Sequence, residues 1–414
     1  QPICTGSTLV PGTISGPVHT NGGWTFGTSG AYIFTDEVTQ VNPNFGFQFS
    51  GACLQSSTPP VSRSGQTINP TFQGGYTTAS PQVPLPQNDF SQKRAVLNGR
   101  GEEDLNGDGT ADNVTNAEMN AVLRRTDGTK WPTGGATSGV YMAYNIDASG
   151  NKVMTGGGIH VQGDASVVMS TVGTSGQRFA ITQGGVTTTI TIDRVAGTTT
   201  MVQGGTTTVI NGVPMDNNAV PPSPATMLYV QGNITALRGP AQGQPAVQDG
   251  SAVTITASAN VTVTGDILYK TPPVTQVANA PCCPGTPPGT PIPGNDNGQV
   301  LGIFTATGDI RLNNQQSNGN LDINASMATL SQGGTGGIVN VGTRINTLNI
   351  VGGRIQNNIK NINTTTRNVF YDRRFSTGFA PPWFPATSFT PPGTSTAVFN
   401  SNMQRQRWVN MSAQ

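Results

Sequence analysis

The chain has 414 residues, 54 of them glycine and 30 proline, and only 10% are charged, far below the roughly one quarter of an ordinary globular domain. Its net charge is +1, its polarity comes from Thr, Asn, Ser and Gln, and no basic cluster offers a handle for nucleic acid or an anionic bilayer. No run of about 18 apolar residues is present to span a membrane, and a start at Gln1 rather than Met is expected of a mature chain whose export segment has been removed.

Residues 1–60 alternate apolar residues with Gly and Thr (WTFG, AYIFTDEVTQV, FGFQFSG), which predicts short strands and turns. Residues 57–90, rich in Pro, Ser, Gln and Thr, predict a long surface loop. The helical signal is confined to 91–125: SQKRAVLNG, then NAEMNAVLRR, with Asn116 as the cap, Glu118 in the first turn and Arg124–Arg125 at the end. Between them, Asp104, Asn106, Asp108 and Asp112 put oxygen side chains at positions 1, 3, 5 and 9 of a loop with Gly109 at position 6. With the Thr110 carbonyl at position 7, this spacing predicts a structural calcium site. Thr115 stands where such a loop usually carries Glu, so Glu102, Glu103 or Glu118 would have to supply the last carboxylate. The competing reading is an exposed Asn-Gly and Asp-Gly turn.

Strands resume at 138–170. A phrase then repeats: IHVQGDASVVM at 159–169 and LYVQGNITALR at 228–238, echoed by VTGDI at 263–267 and ATGDI at 306–310. Each copy is strand-like alternation broken by Gly and a short polar residue. Val253 and Ile255, Val261 and Val263, Leu321 and Ile323, and Leu348 and Ile350 place hydrocarbon on one face at period two. The expected class is therefore all-β, a right-handed parallel β-helix over about 155–365, with a stacked β-sandwich as competitor. Val161, Val230, Val263 and Ile310 should share one column, with Asp164, Asn233, Asp266 and Asp309 at its corner. The Thr-rich stretch 178–212 predicts inserted hairpins, and 271–297 a Pro-rich loop around Cys282 and Cys283. The chain thus divides into a β-rich N-terminal region (1–154), the coil (155–369) and an aromatic tail (370–414). In that tail Trp383, Phe384 and Trp408 would cap the open end of the coil, contact another subunit or stack on sugars.

Four cysteines admit three pairings. A vicinal Cys282–Cys283 bond is strained; Cys4 with Cys53 would staple the N-terminal segment and is the favoured pair. No Cys/His cluster suggests zinc. The only histidines are His19 and His160, neither accompanied by a nucleophile elbow; His160 takes the place of Tyr229 in the repeat, a wall position. The Asp/Asn line could be read as catalytic, but a residue repeated in every copy reads better as a turn residue bonding nearby backbone N–H groups. The Asn-Thr-Asp, Asp-Asp, Gly-His-Gly and Arg-Ile-Lys elements of pectin-type hydrolases are missing; Arg354-Ile355-Gln356 lacks the lysine.

Together, GPVHTNGGWTFG (16–27), AYIFTDEVTQV, LYVQGNITAL, TITASANVTVTGDILYKTPP, VLGIFTATGDIRL and FAPPWFP resemble large bacterial surface proteins of the pilus-assembly, type IV pilin-like kind, without their hydrophobic N-terminal helix. That resemblance implies a β-helical exported region and a cell-surface or appendage role, and it transfers no catalytic residues. The expected function is a non-enzymatic structural subunit of an extracellular filament, pilus-like appendage or surface layer. Its partners would be copies of itself or other appendage subunits. The alternatives are an adhesin gripping surface glycans and a β-helix polysaccharide lyase or hydrolase.

Overall fold

A computed structural model describes residues 3–5, 8–27, 30–86, 88, 90–102, 104–108, 112–273, 297–330, 336–377 and 379–385. Thr110, Cys282, Cys283 and Trp408 lie outside the described residues.

With 5% helix and 48% strand the chain is nearly all β, as expected, and its largest sheet is a nearly closed, barrel-like one. That sheet holds 18 strands among the described residues. Its long axis is a parallel ladder of six strands: Lys152–Gln162, Thr226–Gln231, Ala252–Ala257, Val300–Thr305, Ser326–Thr329 and Arg354–Gln356. A second parallel ladder runs beside it through Ala165–Val172, Ile234–Arg238, Val261–Val263, Ile310–Leu312, Gly337–Asn340 and Asn358–Ile359. A third joins Leu321–Asn324, Ile345–Val351 and Thr364–Phe370. The chain visits the ladders in turn, and corresponding residues of successive visits lie 27 apart where nothing is inserted, as for Asn233 and Asn260 or Asp322 and Asn349.

Alternation decides which residues face inward. Ile159, Leu228, Ile255, Ile303 and Met327 lie in register and are fully buried, as are Ile234, Val261, Ile310 and Ile338. They belong to one hydrophobic core. Burying each such side chain contributes on the order of 1.5–3 kcal/mol, which β-branched and aliphatic residues supply without rotamer strain. Val161 and Val230 stack in the first ladder; in the second, Val263 stacks with Leu237 and Leu312 while Ile310 stacks on Val261. All four are buried in one sheet, but in three columns rather than the single one expected.

The Thr-rich insertion is an antiparallel meander of Ala165–Val172, Gly176–Gln183, Val186–Asp193, Thr198–Gln203 and Thr206–Asn211. Two hairpins turn on Gly184–Gly185 and Gly204–Gly205, each pair at φ near +53° and +82°, the left-handed pairing that tight hairpins need and only glycine adopts freely. The last strand returns to the first ladder at Asn211 opposite Val153. Phe179, Ile181, Ile190, Met201 and Ile210 point inward and join the main core.

The N-terminal region takes a place that no local pattern in the chain indicates. Gly12–Ser15 pairs parallel with Thr364–Phe370, and Tyr32–Phe34 and Thr71–Phe72 follow, so the chain's beginning extends its third ladder from the far end. Phe26, Phe34, Phe45, Phe47 and Phe72 form an aromatic cluster there. The Cys4–Cys53 disulfide closes it.

Two short helices cover the outer side: α1 (Gln92–Asn98) and α2 (Asn116–Val122). The cap of α2 is Thr115, not Asn116: its hydroxyl accepts from Glu118 N while Glu118 accepts from Thr115 N, a reciprocal capping box. Helix α1 lies against the first ladder, packing Ala95, Val96 and Leu97 with Met227 and Trp383. Gly156 permits this approach, since a Cβ there would meet the Val96 carbonyl oxygen at 2.2 Å. Gly156→Ala is therefore expected to lower stability by about 1–3 kcal/mol through forced separation of α1 from the sheet, read as a drop in urea midpoint at unchanged slope.

Candidate functional site

The repeated Gly-Asp/Asn phrase places side chains at the corner between the first and second ladders. There the strands bend, ladder pairing lapses and backbone N–H groups need other acceptors. The corner residues supply them along one line. Asn233 N donates to Asp164 Oδ1 at 2.7 Å, Asn260 N to Asn233 Oδ1 at 3.2 Å, Asp309 N to Asn260 Oδ1 at 2.9 Å, and Gly337 N to Asp309 Oδ1 at 2.8 Å. Asn233 and Asn260 also donate side-chain amide hydrogens along the same line. Lys360 closes it with an ion pair to Asp309 at 2.6 Å.

Asp266 does not belong to this line; Asn260 holds its place. Insertions shift the frame, so VTGDI at 263–267 falls at the next corner, where Asp266 starts a second line. Asp322 N donates to Asp266 Oδ1 at 2.9 Å, Asn349 Nδ2 to Asp322 Oδ1 at 2.7 Å, and Asn368 Nδ2 to Asn349 Oδ1 at 2.9 Å. Thr13 N then donates to Asn368 at 3.4 Å, so this line crosses onto the N-terminal strand. The signal that could have found it is the shared apolar-(Asp/Asn)-apolar pattern of LDI, LNI and RNV. The residues of the first line and Asp266 are engaged as acceptors at bends, the reading that repetition favours over catalysis, whereas Asp322, Asn349 and Asn368 lie within strands and bond one another side chain to side chain.

His160 is fully buried, its ring stacked on Tyr229 at 5.6 Å and edge-on to Trp131 at 5.2 Å. Its Nε2 lies 3.2 Å from Gln162 Oε1. Burial, with the positive charge of Lys93, pushes its pKa down to about 3 against the pull of that hydrogen bond. His19, on the strand Val18–Thr20, bonds Thr39 and Asn21. The structure does not bring the two histidines together with a nucleophile.

In the Asp-rich loop each described side chain closes a turn. Asp104 Oδ1 accepts from Gly107 N and Asp108 N, Asn106 Oδ1 from Asp108 N, and Asp112 Oδ2 from Leu105 N, at 2.7–3.2 Å. An all-oxygen donor set suits calcium, yet among the described residues Asp104, Asp108 and Asp112 are not gathered as a metal-holding group.

The described part of the aromatic tail, 379–385, packs against α1 and the first ladder. Trp383 is fully buried against α1 and the first ladder, and Phe384 is 9% exposed and packs edge-on to Phe304 at 6.4 Å. Neither ring is presented to a sugar or a neighbouring subunit. The buried pair Arg374–Asp372 at 2.6 Å anchors this segment, with Arg374 under the Phe379 ring at 4.7 Å. The column offers an outer face rich in exposed backbone and apolar surface, which an aromatic segment covers more effectively than it covers an end already occupied by strands. Among the described residues no helix is long and apolar enough to cross a membrane.

Two outcomes test this assignment. Asn260→Ala strips the acceptor from Asp309 N and should cost about 1–3 kcal/mol, whereas Asn260→Asp keeps an acceptor oxygen and should cost less; chemical denaturation reads both. His160 takes a proton near pH 6.5 in the unfolded chain but only near 3 when folded, so the unfolded state binds the extra proton between those values. Stability should fall as pH drops from 6.5 to 3, and His160→Phe should flatten that slope.

No family model, curated protein or solved structure matches this chain.

Proposed function

We propose that the chain is a structural subunit of an extracellular bacterial filament, pilus-like appendage or surface layer, built as a right-handed parallel β-helix. The single observation carrying this reading is the unbroken register of the first parallel ladder, reinforced at the neighbouring corner by side chains that accept the next turn's N–H. Parallel strands joined through crossovers follow the right-handed rule. Such a stack is stiff because every turn is tied to the next by backbone ladders and corner bonds together, and stiffness along one axis is what an appendage requires. The Cys4–Cys53 bond supports an oxidising, extracellular setting.

Assembly in this reading is lateral, between copies of the chain. The column's ends are already paired with the N-terminal strands and with the strand Gly139–Ile146, so no long edge is offered end to end. Val202 and Val209 stand 37% and 54% exposed on the meander's outer face. A net charge of +1 puts little repulsion between copies. Calcium enters as a structural ion that would draw Asp104, Asn106, Asp108 and Asp112 together. Purified protein is expected to form regular fibres or sheets in electron micrographs, and Val202→Lys with Val209→Lys to disperse them. Monodisperse particles from the unmutated chain at all concentrations would refute the assembly. Chelation should lower the melting temperature; an unchanged value, with Asp108→Ala equally silent, makes the loop a plain turn.

A further inference from the structure

We infer that the last turn of the column carries a binding site for a small organic carboxylate, held by Arg354 and Arg367. The inward positions explain why. Down the first ladder, register runs Ile159, Leu228, Ile255, Ile303, Met327 and then Arg354. Down the third it runs Leu321, Leu348 and then Arg367. Both columns are hydrocarbon until one turn, where both become arginine. A neighbouring inward column ends in the amide of Gln356, in register with Thr329, Thr305, Ala257 and Val230. The aliphatic run is broken twice at one level, beside a column already polar from Thr305 onward, between the aliphatic core and the N-terminal aromatic cluster.

Such a layer is costly as it stands. Arg367 is 8% exposed, and no ion pair or side-chain hydrogen bond among the described residues engages either guanidinium. Burial pushes Arg354 down to about 10; burial and the charge of Arg354 push Arg367 down to about 9. Both groups therefore stay protonated at neutral pH, two like charges without a counterion. Arg354 is half-buried and Arg367 buried; a buried charge lacking a partner destabilises a fold, which an anion between the two would relieve.

The surroundings fit that anion's chemistry. The arginines, Gln356, Trp24, Ile359, Lys360 and Ile362 line a small crevice of about 30 Å³. The indole N–H of Trp24 is buried without a partner. Guanidinium forks match a planar carboxylate in bidentate geometry, the indole and amide add neutral donors, and the isoleucines contact an organic body that an inorganic ion would lack. The crevice lies where Trp24 of the N-terminal segment meets the last turn, so a bound carboxylate would also pin that segment down.

The test uses the full chain titrated with sodium acetate, sodium glucuronate, inorganic phosphate and sodium chloride at matched ionic strength, followed by calorimetry and melting temperature. A carboxylate should bind saturably and raise the melting temperature, while chloride does neither. Arg354→Met and Arg367→Leu restore the residue types that precede them in register. Each should weaken carboxylate binding about 10-fold or more and raise the melting temperature of the unliganded chain. Trp24→Phe leaves both charges in place and should weaken binding less. Should no carboxylate bind saturably, should phosphate alone do so, or should the arginine replacements lower the unliganded melting temperature and leave binding intact, the site is overturned.

Discussion

A stack of parallel strands has two ends, and each exposes unpaired N–H and C=O groups above a hydrocarbon interior. Everything else in this molecule follows from how those ends are closed. At one end the antiparallel strand Gly139–Ile146 pairs with Lys152–Gln162, and the meander folds its Phe, Ile and Met side chains onto the core. At the other the chain's own beginning takes over: Gly12–Ser15 adds to Thr364–Phe370, and what remains at the edge is the two-residue strand Thr71–Phe72. Residues far apart in sequence become neighbours, and Asp36 forms an ion pair with Arg373 across that junction.

Closing the ends with the chain's own strands makes the interior continuous but not uniform. Aliphatic side chains fill most turns, aromatic rings fill the N-terminal turns, and the level between them holds Arg354, Gln356 and Arg367. Two apolar fillings of different shape meet there, and charge occupies the gap between them. The corners follow a different rule. Their occupants, Asp164, Asn233, Asn260 and Asp309, are interchangeable Asp or Asn because either offers an oxygen to the next turn, and from Asp266 a second line continues along strands through Asp322, Asn349 and Asn368. Rigidity along the axis and tolerance of long insertions at the bends then coexist: Asn260 and Asp309 are 49 residues apart and still bond corner to corner.

The outer surface divides similarly. Helix α1, held close by Gly156, and the buried Trp383 cover one face of the first ladder. Glu118 fastens α2 beside it: burial alone would raise its pKa, but hydrogen bonds from Thr115 and Arg94 hold it at about 2, so the cap keeps its charge except in strong acid. The meander's far face stays open, with its valines in solvent.

Much of this was legible in the linear chain. Period-two alternation in Val253–Ile255 and Leu348–Ile350, and Gly followed by Asp or Asn, marked strands, inward faces and corners, because those patterns arise from backbone geometry within a few residues. The helical signals at 92–98 and 116–122 stood out for the same reason, although the cap moved one residue to Thr115 because a hydroxyl there could pair reciprocally with Glu118. What the linear chain left open was everything set by register across insertions. Asn260 rather than Asp266 completes the first line, Trp383 goes inside, the N-terminal strands join the last turn, and two arginines share one level. Each depends on which distant strands align, and that is decided by the shared burial of an interior no local window contains.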